Sequence, residues 1–118
     1  SRAFMPSLPR ADRGAVFAVG AQSAKDGFGK NQRQVAALEA ALVALVRCTA
    51  REGRDCGITA NVVAPGTMDT PANRTANPEA DPSRWVQPDQ VASLLLHLTS
   101  SAGSQVSGAV IPVYGGEL

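Results

Sequence analysis

The stretch from Val35 to Val46 constrains this chain more than any other, because Glu39 is its only charged residue. Alanine fills positions 36, 37, 40, 41 and 44, and Leu38, Leu42 and Leu45 recur at helical spacing. With Arg47, Arg51 and Glu52 following, the pattern predicts a helix over 35–52, closed by Gly53 or Gly57. A helix this apolar around its circumference must bury two faces, so one sheet is not enough to cover it.

The segments on either side supply that sheet. Ala15-Val16-Phe17-Ala18-Val19 is a short apolar run between Gly14 and Gly20, the pattern of a strand buried on both faces. Ile58 to Ala64 reads as a second strand, stopped by Pro65-Gly66, and Ala109 to Tyr114 as a third, ahead of Gly115-Gly116. Pro112 places that third strand at an edge. Pro88 and Asp89 open a further helix with an apolar stripe at Val91, Leu94, Leu95 and Leu98. Residues 22–34 and 67–87 are polar and read as loops, the second anchored by Trp85. Pro6 and Pro9 close an element at the start of the chain.

The order strand, helix, strand, long loop, helix, strand implies parallel pairing in a three-layer α/β sheet. With 118 residues the chain makes one domain at most. Three strands are few for such a fold, and an open edge makes residues 1–118 look like part of a larger sheet.

Composition narrows the function classes. Eleven basic residues against ten acidic ones leave a net charge of +1, which gives no electrostatic footprint for nucleic acid. Neither a membrane span nor a secretory leader is visible, so a soluble cytoplasmic domain is expected. Cys48, Cys56 and the lone His97 lack the spacing of a metal site. Asn73-Arg74-Thr75 fits the glycosylation pattern but has no secretory context.

Gly57-Ile58-Thr59-Ala60-Asn61-Val62-Val63-Ala64-Pro65-Gly66 resembles the Pro-Gly segment of short-chain dehydrogenase/reductases. The Ala-rich helix ending Ala50-Arg51-Glu52 and the closing Gly108 to Gly116 are similar to the same family, and the spacing between the three segments agrees. Met68 to Arg74, Pro78-Glu79-Ala80-Asp81 and Trp85 look most like its dihydropteridine-reductase-like branch. The resemblance covers nearly the whole chain. It implies the carboxyl-terminal half of a Rossmann-like fold, carrying the last three strands. It also implies NAD or NADP as cofactor, with hydride transfer to a carbonyl or pterin-like substrate. By the same resemblance Pro65, Gly66, Met68 and Thr70 line the nicotinamide side. A structural strand-to-loop turn, needing Pro and Gly for geometry alone, is the competing reading. In that family the helix also meets its copy across a dimer interface, which suits the apolarity of 35–52.

Two departures bear on activity. The glycine-rich dinucleotide fingerprint belongs between a first strand and first helix, and no such arrangement occurs in this sequence. The expectation is therefore a domain without the pyrophosphate-binding half. The family also uses a Tyr as general acid, a Lys one helical turn later that lowers the phenol pKa, and usually a Ser upstream. Counted back from Arg51-Glu52, the Tyr position falls on Val35 and the Lys position on Glu39. The Ser position falls near Ala21 or Gln22, beside Ser23. Valine cannot transfer a proton, and a carboxylate raises a phenol pKa.

Substitutes are few. Tyr114 belongs to the last strand, and Lys25 and Lys30 to a loop whose register would have to change. Glu39 alone gives no acid/base pair and reads as a rim carboxylate. Asp69, Glu79 and Asp81 read as solvated loop residues, Trp85 as a clamp on the core, and His97 as a partly exposed packing residue. The expected function is that of a reductase-family chain inactive by itself. The alternative is a non-catalytic association module that binds itself or a full-length relative through helix 35–52.

Overall fold

A computed structural model describes residues 14–19 and 32–116. The helix predicted over 35–52 is α1, Gln32–Gly53. It begins three residues early because Gln32, Arg33 and Gln34 are good helix formers whose polarity suggested a loop. A 3₁₀ turn, Arg54–Cys56, follows and closes on Gly57, whose φ of 71° is the left-handed conformation open to glycine. Three strands flank these elements: β1 (Gly14–Val19), β2 (Ile58–Pro65) and β3 (Val110–Val113). They form one sheet in the order β1-β2-β3. Both pairs are parallel, with Val16 opposite Ala60, Val62 opposite Val110 and Ala64 opposite Pro112.

β2 is the central strand and is buried along nearly its whole length. On one face Ala60 and Val62 pack with Leu42, Val43, Val46 and Ala50 of α1. On the other, Val63 packs with Val86 and with Val91 and Leu98 of α3 (Pro88–Thr99), joined by Phe17, Ile111 and Val113. This is the expected three-layer α/β arrangement, a partial Rossmann-like sheet with a helix on each face. β1 was expected to be buried on both faces, yet Gly14, Ala15 and Phe17 keep partial exposure, since β1 is an edge of the described sheet. β3, bearing Pro112, is the other edge.

α1 lies against the sheet so closely that a Cβ on Gly53 would come within 2.9 Å of the Ile58 Cβ. Among the described residues only its sheet-facing side is covered. Leu38 and Leu45 are 71% and 55% exposed, and Ala37, Ala41, Ala44 and Cys48 on the same side are exposed with them. Asn61, wholly buried on the opposite face of β2, donates to the Val106 carbonyl and accepts from the Ala109 amide, both at 3.0 Å. That clamp sets the approach of the chain into β3.

The segment 67–87, expected as a loop, contains a short helix α2 (Pro71–Ala76), a 3₁₀ turn at Pro82–Arg84 and a parallel bridge between Met68 and Val86. Among the described residues no helix is long and apolar enough to cross a membrane.

Candidate functional site

The carboxyl end of β2 opens directly into the segment singled out in the sequence. The Gly66 amide donates to the Val113 carbonyl at 2.8 Å, tying the turn to the end of β3. Beyond it, the Val86 amide donates to the Thr67 carbonyl and the Asp69 amide to the Val86 carbonyl, each at 2.8 Å. The path from Pro65 to Thr70 is thus held across the sheet end as an extra, irregular strand. Its residues from Gly66 to Thr70 are half-buried. Met68 turns its side chain into the core beside Val63 and Val86, which leaves its backbone as the part available to a ligand.

Thr70 is the N-cap of α2: its hydroxyl oxygen accepts from the Asn73 amide at 3.2 Å, and Pro71 occupies the first turn. The side-chain amide of Asn73 reaches back and donates to the Met68 carbonyl at 2.8 Å. Asp69 forms a bidentate pair with the exposed Arg74, at 2.6 Å to Nε and 2.9 Å to Nη2. Gln87 adds a third donor to the same carboxylate at 3.2 Å. Hydrogen bonding from Arg74, then from Gln87, holds the Asp69 carboxyl down at about 2, below its ordinary 3.8. The partner effect raises the Arg74 guanidinium. The expectation that Asp69 is merely solvated is corrected by this pair. Asp81 instead caps the following 3₁₀ turn, and the Ser83 backbone amide lowers its pKa.

Asn73, Arg74 and Gln87 were not singled out as site residues from sequence. The signal that finds two of them is local: a Thr-Pro helix start with Asn three positions beyond the cap, and an Asp–Arg pair spanning the cap.

The structure therefore brings Pro65, Gly66, Met68 and Thr70 together at one sheet end. In parallel α/β sheets ligands sit beyond the carboxyl ends of the strands. A nicotinamide carboxamide needs one donor and one acceptor, and the donor set here suits it. Among the described residues the Met68 and Thr70 amides donate to no backbone carbonyl. The Thr70 hydroxyl, already accepting from Asn73, keeps its own proton to give.

Val35 and Glu39 both lie in the continuous α1, one turn apart, and Glu39 is half-buried. Tyr114 is corrected in place: β3 ends at Val113, so the tyrosine follows the strand at the same sheet end as Gly66. Ala21, Gln22, Ser23, Lys25 and Lys30 lie outside the described residues. Trp85 is buried, as a clamp should be, and His97, Cys48 and Cys56 are exposed. No group of three or more His, Cys, Asp or Glu among the described residues is placed to hold a metal ion.

A parallel sheet with helices on both faces and a Pro-Gly turn at its carboxyl edge defines a partial Rossmann-like α/β protein. The comparisons narrow that class. A family model described as Enoyl-(Acyl carrier protein) reductase matches residues 1–117. The 3-oxoacyl-(acyl-carrier-protein) reductase MabA of Mycobacterium tuberculosis is 37% identical over 118 residues, covering 93% of this chain and 47% of the relative. A solved oxidoreductase of the short chain dehydrogenase/reductase family from Burkholderia thailandensis is 32% identical, with a TM-score of 0.71 over 91% of this chain and 45% of that one. A 3-oxoacyl-(acyl-carrier protein) reductase from Brucella melitensis, solved with bound NAD, is 29% identical with a TM-score of 0.69, covering 98% and 45%. The chain belongs to the short-chain dehydrogenase/reductase family. It spans about half the length of the curated relatives it matches.

Proposed function

We propose that residues 1–118 are one partial Rossmann-like domain, the carboxyl-terminal half of a reductase similar to the 3-oxoacyl-(acyl-carrier-protein) reductases among its relatives, and that it carries the nicotinamide edge without the proton donor. The names of the relatives favour a carbonyl substrate over a pterin, so the dihydropteridine-reductase-like branch suggested by Met68 to Arg74 gains no support from them. The observation that carries the reading is the unbroken helix from Gln32 to Gly53. A helix with no bulge to shift its register supports the count that puts Val35 and Glu39 at the Tyr and Lys positions of the family.

NAD or NADP, when bound, supplies the hydride. Pro65 and Gly66 would line the ring, the Met68 and Thr70 amides would donate to the carboxamide oxygen, and the Asn73 side chain holds the Met68 carbonyl. Hydride transfer to a ketone leaves an alkoxide that needs a proton. Val35 has none to give. The two exposed thiols, Cys48 and Cys56, suit a reducing compartment and so the cytoplasm.

The test is NADH and NADPH oxidation with a 3-oxoacyl thioester, alongside nicotinamide fluorescence. The chain should show no turnover. Val35→Tyr combined with Glu39→Lys should not restore it, because this sequence has no glycine-rich fingerprint for the pyrophosphate. Measurable oxidation by either protein overturns the reading.

A second reading rests on the exposed Leu38 and Leu45 of α1. A stripe with this much apolar surface suits association with a second copy or a full-length relative. On that reading the protein is a binding module, whatever becomes of the nicotinamide edge.

A further inference from the structure

At the end of the sheet opposite the Pro-Gly turn, the described residues surround a cavity of about 760 Å³. β2 separates the two ends by about 23 Å, seven steps at strand rise. The cavity is bounded by the amino ends of β1 and β2, the last turns of α1 and the chain leading into β3.

Its charge is one-sided. Arg47, Arg51 and Arg54 all line it, and among the described residues no Asp or Glu does. Arg47 and Arg51 are one helical turn apart in α1, and Arg54 lies in the 3₁₀ turn that continues it. Like charges at this spacing repel. In a chain with a net charge of only +1, three guanidiniums gathered on one described lining favour an anion. The salt bridge of Asp69 with Arg74 lies elsewhere.

The remaining lining adds two further features. Ser107 accepts from the Ala60 amide at 3.1 Å, so its own proton is left to donate into the cavity. Ile58, Leu98 and Ala50 form an apolar wall beside the arginines. The size lies within the range of small-molecule sites.

We propose that this cavity binds a phosphorylated small molecule with an apolar body, its phosphates on Arg47, Arg51 and Arg54 and its body against Ile58 and Leu98. Arginine suits phosphate because its planar fork donates two parallel hydrogen bonds. The site is separate from the nicotinamide edge and stands or falls independently of it.

Calorimetric titration of the 118-residue chain at low ionic strength tests the assignment, with inorganic pyrophosphate and n-hexyl diphosphate as probes. Saturable binding of one pyrophosphate is expected, with hexyl diphosphate about threefold tighter through the apolar wall. Arg51→Gln with Arg54→Gln should weaken both by about tenfold or more. Arg84→Gln, an exposed arginine outside the cavity, should change neither. Circular dichroism checks that the variants fold, and Arg54→Gln alone serves if the double variant does not. Three results overturn the proposal: no saturable heat at millimolar probe, an equal loss in Arg84→Gln, or binding of a polyglutamate peptide where pyrophosphate fails to bind.

Discussion

Gly103 sits where α3 hands over to the chain that enters β3, and backbone surrounds it. A Cβ there would lie 2.5 Å from the Leu98 Cα and 2.6 Å from the His97 and Leu98 carbonyl oxygens. None of those atoms can swing away as a side-chain tip can. Gly103→Ala should therefore cost about 3 kcal/mol of stability, read from the urea unfolding midpoint. Asp69 makes a different kind of prediction. Its carboxyl is at about 2 in the folded chain against an ordinary 3.8, so the folded state favours the charged form. That contribution is complete above about pH 4, where both states are ionised, and is lost as the pH falls through about 2. Asp69→Asn should lower the urea midpoint at neutral pH and change it little near the acid limit. An equal effect at both ends would mean that the pair with Arg74 is not what the substitution removes.

At the scale of elements, α1 shows one half of what its composition demands. Leu42, Val43, Val46 and Ala50 meet the sheet, and the stripe through Leu38 and Leu45 meets nothing among the described residues. If that stripe is an association surface, Leu38→Asp with Leu45→Asp should convert a sedimenting dimer into a monomer while the helical dichroism persists. A strict monomer before substitution would remove the association reading altogether. The same helix explains how much of the fold was legible. α1, β2, β3 and α3 each carry an apolar pattern of the right period, and their order alone dictates parallel pairing. α2 does not, because Pro-Ala-Asn-Arg-Thr-Ala has no apolar stripe. It stands on the Thr70 cap and on the Asp69–Arg74 clasp, contacts between residues close in sequence that hydrophobic period cannot reveal. The bridge from Met68 to Val86 was hidden for the opposite reason, since it joins residues far apart inside a polar stretch.

For the whole molecule, the two sheet ends carry different chemistry. The carboxyl end presents backbone donors and a threonine hydroxyl, and the amino end presents guanidiniums. β2 runs buried between them, so the candidate sites share one rigid strand and no side chain. The turn at the carboxyl end was legible because Pro65-Gly66 marks the stop of β2 in the sequence. The arginine cavity was not, because the wall facing Arg47, Arg51 and Arg54 comes from residues far off in sequence, at Leu98 and Gly108.

The edge at β3 has one more effect. The Val62 and Gly66 amides reach the Ala109 and Val113 carbonyls, and with that two-residue rhythm Val110 and Pro112 direct their main-chain groups away from β2. A foreign peptide trying to zip onto the outer rim therefore meets a ring where it needs a hydrogen to share. Fibrillar stacking from that rim is discouraged by a single imino acid, even while the neighbouring valines make the segment adhesive.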